Sequence, residues 1–157
     1  MVLCHRRSID ALAVTFMNLH DYLLAQEGHD WPELLAGWGR ELPPEFTMWM
    51  VNRLGDLIIV PPDGSVAYFD IGLAKLEILA HSKDHFATLI DESDNADRWF
   101  AIPLIDRLVA AGMRPGPGQC YGFKIPPILG GTYDDANFEP TDLDLPRFGG
   151  RFSVLAF

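Results

Sequence analysis

Apolar positions near the start of the chain recur with helical spacing. Between Ser8 and Glu27 they return every three or four residues, a pattern that is typical of an amphipathic helix. The serine suits the N-cap of this helix, and Gly28 suits its end. The residues that would form the buried stripe are Leu12, Phe16, Leu19 and Leu23.

A second helix is predicted by a capping signal immediately after this glycine. Asp30 is followed by Pro32 in the first helical turn and by Glu33 three positions on, which favours a helix start. The adjacent prolines at 43–44 should stop the helix. Its buried face would contain Leu34, Leu35 and Trp38.

The pattern changes to strands in the middle of the chain. The run DLIIVPPDGSVAYFDIG at 56–72 has two apolar segments around a Pro and Asp-Gly turn, which predicts a hairpin. LAKLEILA at 73–80 predicts a third strand, so the strands form an antiparallel meander. FTMWMV at 46–51 suits a further strand or a helix. The third strand should alternate Leu73, Lys75 and Glu77 against Ala74, Leu76 and Ile78.

Helices are predicted again after residue 81. Ser82 caps one helix, and Asp94 or Asn95 opens another that ends at Gly112. Pro103 should kink this last helix unless it lies in the first turn of a separate one. The order of elements predicts an α+β fold with N-terminal helices, a central antiparallel meander sheet and further helices packed on the sheet. We expect one domain over residues 1–157.

Charge and composition limit the classes of function that are open to this protein. The chain has 22 acidic and 12 basic residues, a net charge of −10, which argues against direct binding of nucleic acid. No apolar run approaches the roughly 18 residues of a membrane helix, and no secretory signal is evident. The two cysteines suggest neither a disulfide framework nor a zinc site. We therefore expect a cytoplasmic protein that contacts neither membrane nor DNA.

Motifs for chemistry are absent from the sequence. There is no GxxxxGK, GxGxxG or GxSxG pattern. The acidic run at 91–97 lacks the glycine and the final glutamate of a calcium loop, and it is better explained as a solvated helix start. His81 and His85 have no third zinc ligand nearby in sequence. We expect no catalytic residues, no metal and no cofactor.

The stretch QCYGFKIPPILGGTYDDANFEPTDLD at 119–144 places aromatic residues among carboxylates on a loop rich in glycine and proline. Such a loop suits recognition of a cationic protein surface, although a solvated loop with its aromatics folded under it is the alternative. Gly130 and Gly131 would permit positive φ where the chain reverses. With the acidic run at 91–94, the candidate partner-binding residues are Asp91, Glu92, Asp94, Tyr133, Asp134, Asp135, Phe138, Glu139, Asp142 and Asp144.

Three segments also carry a family resemblance: 31–66, 94–113 and 117–143. Their most specific blocks are Asn-Arg-Leu-Gly-Asp at 52–56 and Pro-Pro-x-Leu-Gly-Gly at 126–131. The chain from Asp21 to Asp144 resembles immunity proteins that neutralise DNase effectors of the type VI secretion system. Members of this family usually continue past the Thr-Asp-Leu block into an apolar segment and a helix, whereas this chain reads DLPRFGGRFSVLAF.

The resemblance implies a non-catalytic α+β protein. The partner it implies is a cognate nuclease toxin domain, an HNH-like or GHH-type DNase, whose active or DNA-binding surface the protein would occlude. Two other classes stay open: a metal-dependent hydrolase with an unrecognised site, and a general regulatory or scaffold module.

Overall fold

A four-stranded antiparallel sheet forms the centre of the protein. The computed structural model describes residues 3–4 and 17–143. The sheet order follows the chain order, so the predicted meander is confirmed, and the segment FTMWMV supplies its first strand. Strands are numbered along the chain, and two strand pairs described below contribute β1, β2, β7 and β8. The strands of this sheet are β3 Thr47–Val51, β4 Leu57–Val60, β5 Val66–Asp70 and β6 Lys75–Ala80.

Both faces of this sheet are buried, which explains the unbroken apolar run of β4. Alternate side chains of adjacent strands point to opposite faces. One face packs against the segment that follows the first helix, through residues that include Ile59, Phe69, Trp38 and Leu42. The other face packs against the later helices, through residues that include Ile58, Val66, Phe86, Trp99 and Ile102.

The helices are short, and most begin where the capping signals predict. Asp30 accepts a hydrogen bond from Glu33 N at 3.1 Å, and Ser82 accepts one from His85 N at 3.0 Å. Pro103 lies in the first turn of a separate helix, after Ala101 at φ 51°. The four helices of the described chain are α1 Trp31–Leu35, α2 Lys83–Leu89, α3 Asn95–Trp99 and α4 Ile102–Ala110.

The helix predicted over residues 8–27 is wrong where the structure describes it. Met17–Asn18 is a strand, Leu19–Tyr22 is a 3₁₀ turn, and the chain then runs alongside β3. Leu24 N donates to Val51 O at 2.8 Å, so backbone pairing with the sheet edge replaces helical hydrogen bonds. Residues 8–16 lie outside the described part. The second predicted helix also ends early, since α1 gives way to a 3₁₀ turn at Ala36–Trp38.

Two further antiparallel strand pairs complete the described architecture. One pairs β1 Leu3–Cys4 with β2 Met17–Asn18, and the second, a hairpin, pairs β7 Gln119–Phe123 with β8 Phe138–Asp142. Tyr121 N donates to Arg53 O at 2.9 Å, which ties this hairpin to the turn after β3. The hairpin packs on α4 through buried aromatic and aliphatic side chains.

An irregularity in β6 lies beyond Ile78, after the residues whose alternation was predicted. Val66 pairs with Ala80 while Ala67 pairs with Ile78, so one extra residue lies on β6. Ile78, at this edge strand, is 60% exposed. The α+β class is nevertheless confirmed, with fewer helical residues than the pattern suggests. Within the described chain no helix combines the length and apolar character needed to cross a bilayer.

Candidate partner-binding surface

The first group of predicted binding residues lies on the connection between α2 and α3. Asp91, Glu92 and Asp94 are all exposed. Glu92 N donates to Leu89 O at 3.0 Å, and Asn95 Nδ2 donates to the same carbonyl at 2.8 Å. These bonds close a tight turn that directs the three carboxylates to solvent, as the helix-start interpretation of this run predicts.

The second group lies on β8 and on the connection between β7 and β8, which is a braced loop. Asn137 braces it: its Nδ2 donates to the carbonyls of Ile125 and Thr132 at 2.8 Å each, and its Oδ1 accepts from Ile125 N at 2.9 Å. Gly131 N donates to Pro126 O at 3.0 Å. One side chain thus joins both ends of the loop, a role that no sequence motif indicated.

The carboxylates of this second group differ in their surroundings. Asp134 is exposed and accepts from the Thr132 hydroxyl at 2.9 Å. Asp135 forms a salt bridge with Arg107 of α4 at 3.1 Å, with both side chains about half exposed. On β8, Glu139 is half-buried, and Asp142 accepts from Gln119 at 2.7 Å. Asp144 lies outside the described residues.

The two predicted aromatic anchors differ in their exposure to solvent. Tyr133 is 44% exposed and packs its ring edge-on against Phe123 at 5.3 Å. Burial, and secondarily the nearby Asp70 carboxylate, raises the pKa of Tyr133. Phe138 is only 1% exposed, so its prediction as a surface anchor is wrong. It lies opposite Phe123 across the hairpin, and its ring fills the core beneath α4.

The adjacent glycines of the loop serve different purposes. Gly130 has φ +91°, as predicted for a chain reversal, and a Cβ there would meet no atom within 4 Å. Gly131 does not have positive φ, so that prediction is wrong. A Cβ on Gly131 would lie 1.7 Å from Ile125 O. Close approach of two backbone segments is therefore the reason for the second glycine.

The Asn-Arg-Leu-Gly-Asp block forms a buried turn between β3 and β4. Asn52 Oδ1 accepts from the backbone N of Leu54 and of Asp56, and its Nδ2 donates to Asp56 Oδ2 and to Trp99 O. Burial, and secondarily the nearby Asp70, raises the pKa of Asp56 to about 6. Because this carboxyl is buried, it stabilises the turn between β3 and β4 and is not available to bind a partner.

Other reactive side chains among the described residues include a buried thiol and a pair of histidines. Cys120 is buried, and burial raises the pKa of its thiol to about 12, which makes it inert at neutral pH. The rings of His81 and His85 lie 4.0 Å apart. Among the described residues no three His, Cys, Asp or Glu side chains are placed to hold a metal ion.

Comparison with protein families adds an independent observation. A family model described as T6SS immunity protein Tdi1, C-terminal, matches residues 80–145. It confirms, over this part of the chain, the resemblance to type VI secretion immunity proteins. Both groups of candidate binding residues fall inside the matched segment, whereas the block at 52–56 precedes it. Comparison with curated proteins gave no match.

Proposed function

We propose that this protein is a type VI secretion immunity protein that binds a cognate nuclease toxin and occludes its active or DNA-binding surface. The match of residues 80–145 to the C-terminal immunity model carries this proposal. The net charge of −10 is consistent with it, because a nuclease must present a basic surface to DNA phosphates. Neutralisation then needs only binding, without bond making or breaking.

Exposed carboxylates would compete with phosphate for the toxin. Asp91, Glu92 and Asp94 face solvent together on one turn, and Asp134 does so on the β7–β8 loop. Charges of this kind accelerate encounter with a basic partner, while they add less to the lifetime of the complex. Asp135 is already engaged by Arg107, so its contribution to toxin binding should be smaller.

The partner in this proposal is an HNH-like or GHH-type DNase domain, and the protein acts in the cytoplasm of the cell that makes it. It contacts the toxin rather than DNA. It also needs no metal of its own, since any metal chemistry belongs to the nuclease.

Co-expression tests this function. A panel of type VI nuclease toxin domains, including any encoded beside this gene, is induced in cells with and without the protein. One toxin should kill and degrade plasmid DNA when expressed alone, and both effects should disappear when the protein is present. A purified one-to-one or higher complex should accompany protection. If no toxin is neutralised or captured, the proposal is wrong.

A further inference from the structure

Large apolar side chains on the surface are concentrated in one short segment. Six are exposed in the described chain, and four of them lie within the nine residues 125–133. Exposed clusters of large apolar side chains mark interaction sites on the surfaces of proteins. The four, with their exposed fractions, are Ile125 at 55%, Ile128 at 44%, Leu129 at 52% and Tyr133 at 44%.

A fifth exposed residue joins them from the turn between β5 and β6. Ile128 N donates to Gly72 O at 3.1 Å, so the loop is seated on this turn. The contact is close, because a Cβ on Gly72 would lie 2.9 Å from the Phe123 ring and 3.2 Å from Pro127. Leu73, the next residue, is 45% exposed. We call Leu73, Ile125, Ile128, Leu129 and Tyr133 the apolar patch.

The backbone beneath the apolar patch is held on several sides. Asn137 bonds to both ends of the loop, and the Tyr133 ring packs edge-on against Phe123 of β7. Lys124 Nζ donates to Ala136 O at 2.9 Å. Apolar side chains presented by a braced backbone lose little conformational entropy on binding, which is how an anchor in a protein interface gains affinity.

We propose that the apolar patch is the anchor of the toxin interface and that it enters an apolar pocket bordered by cationic side chains on the nuclease domain. This inference rests on the proposed function and adds the surface that the partner must match. The exposed carboxylate of Asp134 follows directly after Tyr133, so a negative charge borders the patch. A second copy of this chain suits the patch less well, because two molecules of net charge −10 repel each other.

Two kinds of residue have different roles in this interface. Apolar contacts at the centre of the interface set the rate of dissociation, and the carboxylates at the rim set the rate of association. The apolar anchor role that the sequence suggested for Phe138 belongs instead to the 125–133 segment. The sequence signal for this patch is the run Ile-Pro-Pro-Ile-Leu-Gly-Gly, whose apolar residues follow neither helical nor strand spacing.

The test measures binding kinetics of full-length variants against the toxin domain captured by the wild-type protein. We expect the double variant I128S/L129S, and separately L73S, to raise the dissociation rate at least about tenfold. Association rates should stay within about twofold of wild type. The matched control is Ile78→Ser, since Ile78 is 60% exposed and lies on β6, about 10 Å along the strand beyond its first residue Lys75. It should dissociate like wild type.

Each outcome assigns the failure to one proposal. If the wild type captures no toxin, the proposed function is wrong. If the wild type binds and both patch variants dissociate no faster than I78S, this inference alone is overturned. Melting temperatures within about 2 °C of wild type verify that the variants are folded. Sedimentation showing a wild-type dimer that the patch variants abolish would assign the patch to a second copy and also overturn the inference.

Discussion

At the scale of single residues, the two glycines at 130 and 131 separate two physical demands that look alike in sequence. One residue needs left-handed backbone, and the other needs the absence of a side chain beside a carbonyl. A Cβ in left-handed backbone is tolerated with strain, whereas one placed 1.7 Å from Ile125 O forces the backbone segments apart.

We predict that Gly131→Ala destabilises the protein more than Gly130→Ala does. The left-handed position should cost about 1 kcal/mol, whereas the steric conflict at Gly131 should cost roughly 2 kcal/mol or more. Urea unfolding of both variants beside wild type measures the difference. Equal losses of unfolding free energy would mean that the loop at Gly131 relaxes without cost.

Asp56 sets a pH dependence at the same scale. Its pKa in the folded protein is about 6, against an ordinary value of 3.8. The folded state therefore holds this proton more tightly than the unfolded state. Stability from this group is complete below about pH 3.8 and is lost as the pH rises through about 6. Burial raises the pKa of Asp70 in the same direction.

We expect the unfolding free energy to be larger at pH 5 than at pH 7.5 by about 1 kcal/mol. Asp56→Asn should flatten this difference, because the amide does not titrate. Asp63→Asn is the control, since hydrogen bonds from Ser65 lower the pKa of Asp63 and its effect on stability falls below this window. Denaturant titrations at the two pH values check both. A D56N protein with the wild-type slope would place the titration elsewhere.

At the scale of elements, the β7–β8 connection is a loop that behaves as part of the scaffold. Regular backbone pairing ends at Phe123 and resumes at Phe138. In the interval, side-chain bonds from Asn137 and the seat on Gly72 replace the ladder. Backbone groups that lack a secondary-structure partner still require one, and here one amide side chain supplies three bonds.

We predict that Asn137→Ala loosens this loop without unfolding the protein. Amide hydrogen exchange should accelerate at residues 125–133 while the protection of β4 and β5 is retained. Toxin affinity should fall with it, because binding must then order the loop. Asn137→Asp keeps the acceptor for Ile125 N but sets a carboxylate oxygen against the carbonyls of Ile125 and Thr132, so it should loosen the loop at least as much. Unchanged exchange in the alanine variant would show that Asn137 is dispensable.

At the scale of the whole molecule, the proposed function gives charge the role of attracting the toxin. The net charge of −10 is distributed unevenly, and exposed acidic residues lie at 91–94 and at Asp134. Long-range attraction to a basic surface weakens as salt shortens the Debye length, about 10 Å at 0.1 M. The lifetime of an apolar contact depends on salt much less.

We predict that reversing three charges together, D91K/E92K/D94K, lowers the association rate with the toxin about tenfold at low salt and reduces the salt dependence of that rate. Dissociation should change little. Stopped-flow or surface-based kinetics at two salt concentrations provide the measurement. Charge reversal that acts only on dissociation would place these acids inside the contact rather than around it.

Much of the fold was predictable from local chemistry. Caps at Asp30 and Ser82, the turn before Ser65 and the strand runs of the meander express preferences that each segment has by itself. The helix predicted over 8–27 failed over its described residues because Leu24 pairs with the edge of β3, a partner distant in sequence. The burial of Phe138 depends on its place opposite Phe123 in the hairpin, which no spacing rule encodes.

The sequence by itself determined the α+β class, the acidic character and, through its motifs, the resemblance to immunity proteins. These follow from composition and from patterns within a few residues. Only the tertiary structure decided which side chains are surface and which are core, because burial depends on contacts between distant segments. The apolar patch arises when the 125–133 loop is seated on Gly72, some fifty residues earlier in the chain.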